Sequence, residues 1–379
     1  MPDVCEERRA ELRLFTFLHF RKQAATSRKC VDNTRDSIDR TPLQGSPTAL
    51  PSLALPQEHA MPPPLPASST SVQPDWPGLP YGEWKDTYAT LHLWTQIVGK
   101  IRLVQSPWLN HSWHVPLYVS ARGLATSAIP HGTRSFEIEF DFIDHCLQLR
   151  SSDGRNATLP LRPRTVADFY QELMTRLADL DLAVTINTMP NEMVDPLPFD
   201  QDHVHASYDA AHAHRFWLVL VQVDRVFKQF RATFLGKSSP VHFFWGAFDL
   251  AVTRFSGAEA PPHPGAVPNC PDWVMREAYS HEVASSGFWP GSEALPYPAF
   301  YAYAYPDPPG YSDAAVLPAE ASYDTTMHEF ILPYDAVRTA PLPDAALLDF
   351  LQSSYEAAAG LAGWNRAALE RAPLAHGRP

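Results

Sequence analysis

VHFFWGAFDLAVTRFSG, residues 241–257, is followed by REAYSHEVASSGFWPG at 276–291 and PYPAFYAYAYPDPPGY at 296–311. Fifteen of the 71 residues in 241–311 are Phe, Trp or Tyr, about 21%, against 12% for the whole chain. Short apolar or alternating runs bounded by Pro and Gly have the period of strands. They predict strands over 241–245, 249–255, 277–284, 299–305 and 327–332. The run His242-Phe-Phe-Trp245 is apolar on both faces, which predicts a central strand covered on each side. Side chains alternate across a strand, so Glu277, Tyr279 and His281 are expected on one face of theirs, and Tyr301, Tyr303 and Tyr305 on one face of another.

Working outward, the period changes to that of a helix. Phe216, Val219, Val223, Val226, Phe227, Phe230 and Phe234 mark a helix over 207–234, and Leu347, Phe350, Leu351, Tyr355 and Ala358 another over 343–369, with Pro343 at its first turn. Toward the N-terminus, Trp84, Tyr88, Leu91, Trp94, Val98, Ile101 and Gln105 recur at three and four, predicting a helix over 83–105 closed by Pro107. Strands are expected over 115–121, 135–142, 145–150 and 157–161, with Asp153-Gly154 as a hairpin turn. Thr165-Val-Ala-Asp168 is a capping-box variant that opens the next helix. A further strand over 182–188 and a loop over 190–206 complete the half. The fold class expected is α+β: two helix, antiparallel-sheet, helix units, 76–200 and 201–379, packed into one compact body. The likeness of the halves leaves open whether they are two units or one duplicated fold.

Residues 1–75 differ in kind. Eleven prolines fall in the 40 residues 41–80, and a stretch so poor in periodicity is expected to be a disordered tail. Proline is abundant throughout, 38 of 379 residues, so short elements and rigid turns are expected. The net charge is −12, and its whole excess lies in 76–379, which argues against nucleic acid and anionic membrane surfaces as partners. Cys5, Cys30, Cys146 and Cys270 form no CxxC and no close pair, so neither a disulfide framework nor a zinc site is indicated. The apolar run 12–20 is preceded by Glu6, Glu7 and Glu11 and interrupted by Arg13 and His19, unlike an export signal. No run reaches a membrane span, and the placement expected is cytoplasmic.

The segments Gln222-Val-Asp-Arg-Val-Phe-Lys228, Ser239-Pro-Val-His-Phe-Phe-Trp-Gly246, Phe248-Asp-Leu-Ala-Val-Thr-Arg-Phe-Ser-Gly257, Arg276-Glu-Ala-Tyr-Ser-His-Glu282, Gly287-Phe-Trp-Pro-Gly291 and Tyr301-Ala-Tyr-Ala-Tyr-Pro306 together resemble the domain of unknown function 5996 family. The resemblance spans about 76–370. It implies a shared fold and a shared set of residues, and no activity.

If the strands at 277–284 and 299–305 are neighbours, their tyrosines, His281 and Glu277 line one cavity. One reading is a pocket for a small organic molecule, with His281 or His242 as base, Glu277 or Asp249 orienting it, Arg254 available to a substrate carboxylate, and Trp245, Tyr279, Trp289, Tyr301, Tyr303 and Tyr305 as walls. The plainer reading is a half-buried sheet whose polar groups pair with one another and whose arginine is structural. A different class, a non-catalytic oligomeric scaffold, would use the same aromatic face. The pairs His203/His205 and His212/His214 flank a loop and a helix start and do not converge, so no metal is expected there. His111 and His114, in a loop with Trp108 and Trp113, could rim a pocket but read first as packing. No GxSxG, phosphate loop or GxGxxG occurs, and neither cofactor nor subunit count is readable.

Overall fold

Helix α1 (Tyr81–Gln105) carries Trp84, Leu91, Trp94, Ile97, Val98 and Ile101 completely inside, and every residue from Thr90 to Arg102 on it is buried. A helix enclosed on all sides is a core element around which others pack. The structure, a computed structural model, describes residues 75–372; the expected disordered tail lies outside the described residues but for its last position. Ser106, extended before Pro107, ends α1 as the proline requires.

The first sheet is antiparallel. It comprises β1 (Tyr118–Val119), β2 (Gly123–Ala125), β3 (Ile129–His131), β4 (Arg134–Asp141), β5 (Cys146–Ser151) and β6 (Asn156–Pro160), ordered β1-β2-β4-β5-β6 with β3 also on β4. Phe136, Ile138 and Phe140 point into the core, and the Gly154 turn has φ 88°. Helix α2 (Val166–Asp179) begins where expected, the Thr165 side chain accepting the Asp168 N–H. Helix α3 (Ala210–Ala232) is capped in the same way by Asp209.

The second sheet holds β7 (His242–Phe244), β8 (Asp249–Glu259), β9 (His281–Trp289), β10 (Ala299–Tyr305), β11 (Ser322–Asp324) and β12 (Glu329–Pro333), in the order β11-β12-β10-β9-β8-β7. A short helix α4 (Asp272–Ala278) precedes β9, and α5 (Tyr334–Arg338), α6 (Pro343–Leu361) and α7 (Arg366–Leu369) follow. Leu250, Val252, Phe288, Phe300 and Leu332 from the sheet, Phe216, Val223 and Phe227 from α3, and Leu347, Phe350 and Leu351 from α6 join the first sheet's Phe136, Ile138 and Phe140 in one apolar cluster. Each such side chain contributes roughly 1.5–3 kcal/mol on burial. The class is α+β as expected, but the sheets differ in strand order, so a duplicated fold finds no topological counterpart.

Local differences have local causes. The expected strand at 115–121 is cut short because the Ser120 hydroxyl accepts the Arg122 and Gly123 N–H groups and turns the chain. Residues 182–188 form no strand; the loop that follows bonds instead to α1, Lys100 Nζ reaching the Met189 carbonyl at 2.7 Å and Gln96 clamping Asn191. The last helix breaks at Gly363, φ 70°. β7 lies at the sheet edge, not at its centre. It is nonetheless covered, because Leu117 exchanges both backbone hydrogen bonds with Phe243.

Candidate functional site

The pleat of the second sheet sorts its residues onto two faces. Phe300 and Ala302 of β10 enter the core, so Tyr301, Tyr303 and Tyr305 stand on the other face. There Tyr301 is opposite Gly287, Tyr303 opposite Ser285 and Tyr305 opposite Val283 on β9. One strand on, Gly287 meets Ala251, Ser285 meets Thr253, and Val283 meets Phe255; further still, His242 meets Ala251 and Phe244 meets Asp249. Among the residues expected to form the site, His242, Asp249, Trp289, Tyr301, Tyr303 and Tyr305 thus share one sheet face.

At its centre Tyr301 donates its phenol proton to Asp249 Oδ2. Only glycine at 287 permits this, since a methyl there would fall 2.2 Å from the Tyr301 hydroxyl. Trp289 backs the phenol ring at 4.5 Å between centroids. Asp249 is 5% exposed, and burial lifts its carboxyl to about 7, against the lowering effect of the Tyr301 hydrogen bond. Burial, and then the neighbouring Asp249 carboxylate, raise the Tyr301 phenol well above its ordinary value.

Four further residues complete the cluster; the sequence reading named only Tyr88 among them, and as part of a helix stripe rather than of a site. Glu192 belongs to the loop after residue 188, has φ 58°, and is exposed as a whole residue. Its carboxylate, however, is turned onto buried Gly246, where a methyl would fall 2.0 Å from Oε1. That inward pose governs its proton affinity: burial, then Asp249, raise it to about 7. Gln96 holds this loop through the Asn191 N–H (2.8 Å) and carbonyl (3.0 Å). His92, one turn before Gln96, donates from Nε2 to the Gly246 carbonyl at 2.8 Å. Burial depresses its basicity to about 4, so it is a neutral imidazole. Tyr88, a turn earlier again, packs on Phe248 at 4.9 Å, and burial raises its phenol pKa. One stripe of α1 and one sheet face thus enclose the Asp249 carboxyl, and Glu192 brings a second carboxyl onto Gly246 from the exposed loop.

The expectation that Glu277, Tyr279 and His281 share a strand face does not hold. Glu277 lies on α4, and β9 begins only at His281. Pro271 starts a helical turn here, with Asp272 and Arg276 paired at 3.7 Å across it, so the apparent alternation in 277–281 is broken between helix and strand. Glu277 accepts the Trp108 indole N–H at 2.8 Å, and His281 contacts Ser280 Oγ at 3.0 Å through Nδ1. Tyr279 still reaches the tyrosine face, its hydroxyl 2.7 Å from that of Tyr303, and the Tyr305 hydroxyl donates to the Pro261 carbonyl. Residues 287–289 of the segment Gly287-Phe-Trp-Pro-Gly291 belong to β9.

Arg254 faces the core side. Its guanidinium lies 3.5 Å from the Phe230 ring centroid and 4.3 Å from that of Tyr355, and it donates to the Phe230 carbonyl and Thr233 hydroxyl at the end of α3. A cation there answers the helix dipole and is structural. Trp245 is buried, covers Gly99 and donates to the Val115 carbonyl at 3.0 Å. His242, on the tyrosine face, is held neutral by burial and by Arg102 and Arg231, its basicity lowered to about 3. An open groove of about 520 Å³ at the start of α2 contains none of these residues, and its Arg164 is already paired with Glu172. Among the described residues no three His, Cys, Asp or Glu side chains converge as metal ligands, and no helix is long and apolar enough to cross a membrane.

Comparison with curated proteins returns no match, and comparison with solved structures returns none. The model of a family of unknown function, DUF5996, matches residues 76–371, a span that takes in both sheets, α1 and every residue of the carboxylate cluster, and the chain belongs to that family.

Proposed function

We propose that this protein binds a small organic molecule against the tyrosine face of the second sheet and transforms it by proton transfer, with Asp249 and Glu192 as the acid–base pair. The observation that supports this is a pair of carboxyl groups each raised to about 7, Asp249 by burial and Glu192 by burial and then by Asp249. Near neutral pH such a pair is in part protonated, so one member offers a proton while the other accepts one. Tyr301 fixes the Asp249 carboxylate, Trp289 and Tyr303 supply flat apolar walls, and neutral His92 positions the Gly246 turn beneath Glu192. This assigns proton transfer to a different pair from His281 and Glu277, which sit beside Trp108 and His111.

A scaffold that pairs through the same aromatic face is the alternative reading, with Trp289 and Tyr303 as its partly exposed rings. The scattered cysteines and acidic body favour a cytoplasmic setting without nucleic acid as partner. The test is native mass spectrometry of the full chain after incubation with a small-metabolite extract. A retained mass that is lost in Asp249→Asn, with the melting temperature kept within a few degrees, is the expected result. An equal mass retained by the variant would remove Asp249 from the site.

A further inference from the structure

Arg102, near the C-terminal end of α1, is 7% exposed. A buried guanidinium is costly unless an anion or several acceptors answer it. Other arginines of the chain are answered: Arg122 by Asp141, Arg164 by Glu172, Arg225 by Asp344 and Arg366 by Glu370. Arg254 has a helix end and three rings. Arg102 has the Pro116 carbonyl and the Tyr118 side chain, whose ring centroid lies 5.2 Å from its Cζ, and no carboxylate pairs with it among the described residues. Its Nε is buried without a hydrogen-bond partner.

A second observation falls at the same place. The mutual hydrogen bonds of Leu117 and Phe243 set the register of the two strands, so Tyr118 stands directly opposite His242, with both side chains on the face turned away from Leu117 and Phe243. His242 is 1% exposed, and neither of its ring nitrogens has a hydrogen-bond partner. A buried imidazole of this kind is rare. Arg231, held through Nε by the Ser239 carbonyl, adds a second positive charge near it. Tyr118 is partly exposed.

We propose that Arg102, Tyr118 and His242 form a binding site for an oxyanion, a carboxylate or phosphate group carried by a small ligand. The guanidinium presents a planar fork that matches two oxygens, and the neutral imidazole contributes one N–H donor beside it. Lysine would supply charge without the fork, and a carboxylate built into the protein would fill the place. His242 is on the sheet face that also carries Asp249, one strand over, so an anionic group held here belongs to a molecule that reaches the tyrosine face. The site stands on its own geometry, whether or not Asp249 and Glu192 transfer protons.

The test is calorimetric titration of the full chain with inorganic phosphate and, separately, with malonate. Binding of at least one with a dissociation constant of about 1 mM or tighter is expected, falling roughly tenfold or more in Arg102→Gln and several-fold in His242→Phe. Asp249→Asn should keep it, which separates this site from the acid–base reading. His242→Phe preserves ring volume, so it decides the matter if Arg102→Gln fails to fold. Binding of phosphate assigns a phosphate ligand and binding of malonate alone a carboxylate. Absence of binding by both up to about 20 mM, or binding unchanged in both site variants, would overturn the proposal.

Discussion

Gly287 carries no side chain because the Tyr301 phenol occupies the space where one would stand. Gly287→Ala therefore has to displace the ring from Asp249, breaking a buried hydrogen bond as well as overpacking the sheet face. A loss of roughly 1–3 kcal/mol in urea denaturation at pH 7 is expected. A neutral result would show the ring moving without cost. Asp249 and Tyr301 were visible in the sequence, one as an acid in an apolar strand and the other through its alternation with alanines. Glu192 was not. It lies in a Pro- and Asp-containing loop with no period, and only a contact with Gly246, 54 positions on, gives it meaning.

Among the elements, α1 holds the site together. Its sequence stripe marked Trp84, Trp94 and Ile101 correctly as inward, but one stripe does not reveal a helix buried on every side, so His92 and Gln96 went unnoticed. Polar side chains within so apolar a run were the available signal. Gly99 lies on the same helix under Trp245, where a methyl would fall 2.2 Å from the indole Nε1. Alanine favours a helix over glycine by about 1 kcal/mol, whereas overpacking a rigid ring costs about 1–3 kcal/mol. The Trp245 ring is also tied to the Val115 carbonyl, so the clash should win. Gly99→Ala is expected to lower the urea midpoint; a rise would mean the indole yields freely. Strands with strict alternation, such as β4 and β10, were predicted well because their two faces differ. The misreading of 277–281 arose where a helical turn and a strand meet within five residues, too short for either period to declare itself.

In the molecule as a whole, groups with shifts of opposite kind set the pH dependence of stability. Asp249 and Glu192 bind protons more tightly folded than unfolded, so their contribution is full below the ordinary carboxylate range near pH 4 and is lost as pH rises through about 7. His92 and His242 bind protons less tightly folded, at about 4 and about 3. Their contribution therefore grows as pH rises toward the ordinary histidine value of about 6.5. Between about pH 4.5 and 6.5 the trends oppose, and a nearly flat stability is expected. Asp249→Asn removes one opposing group, so its stability should climb with pH over that interval when followed by denaturant midpoints. Parallel profiles for the two proteins would show Asp249 ionising normally in the fold.

The acid–base pair requires Asp249 to keep its proton near neutrality, and carbon NMR of protein labelled at the aspartate carboxyls reads this directly. Titration from pH 3 to 9 should show one aspartate resonance moving with a midpoint near 7 and missing from Asp249→Asn. If every aspartate titrates below about pH 5, in the ordinary carboxylate range, Asp249 is ionised at neutral pH and the acid–base pair does not exist.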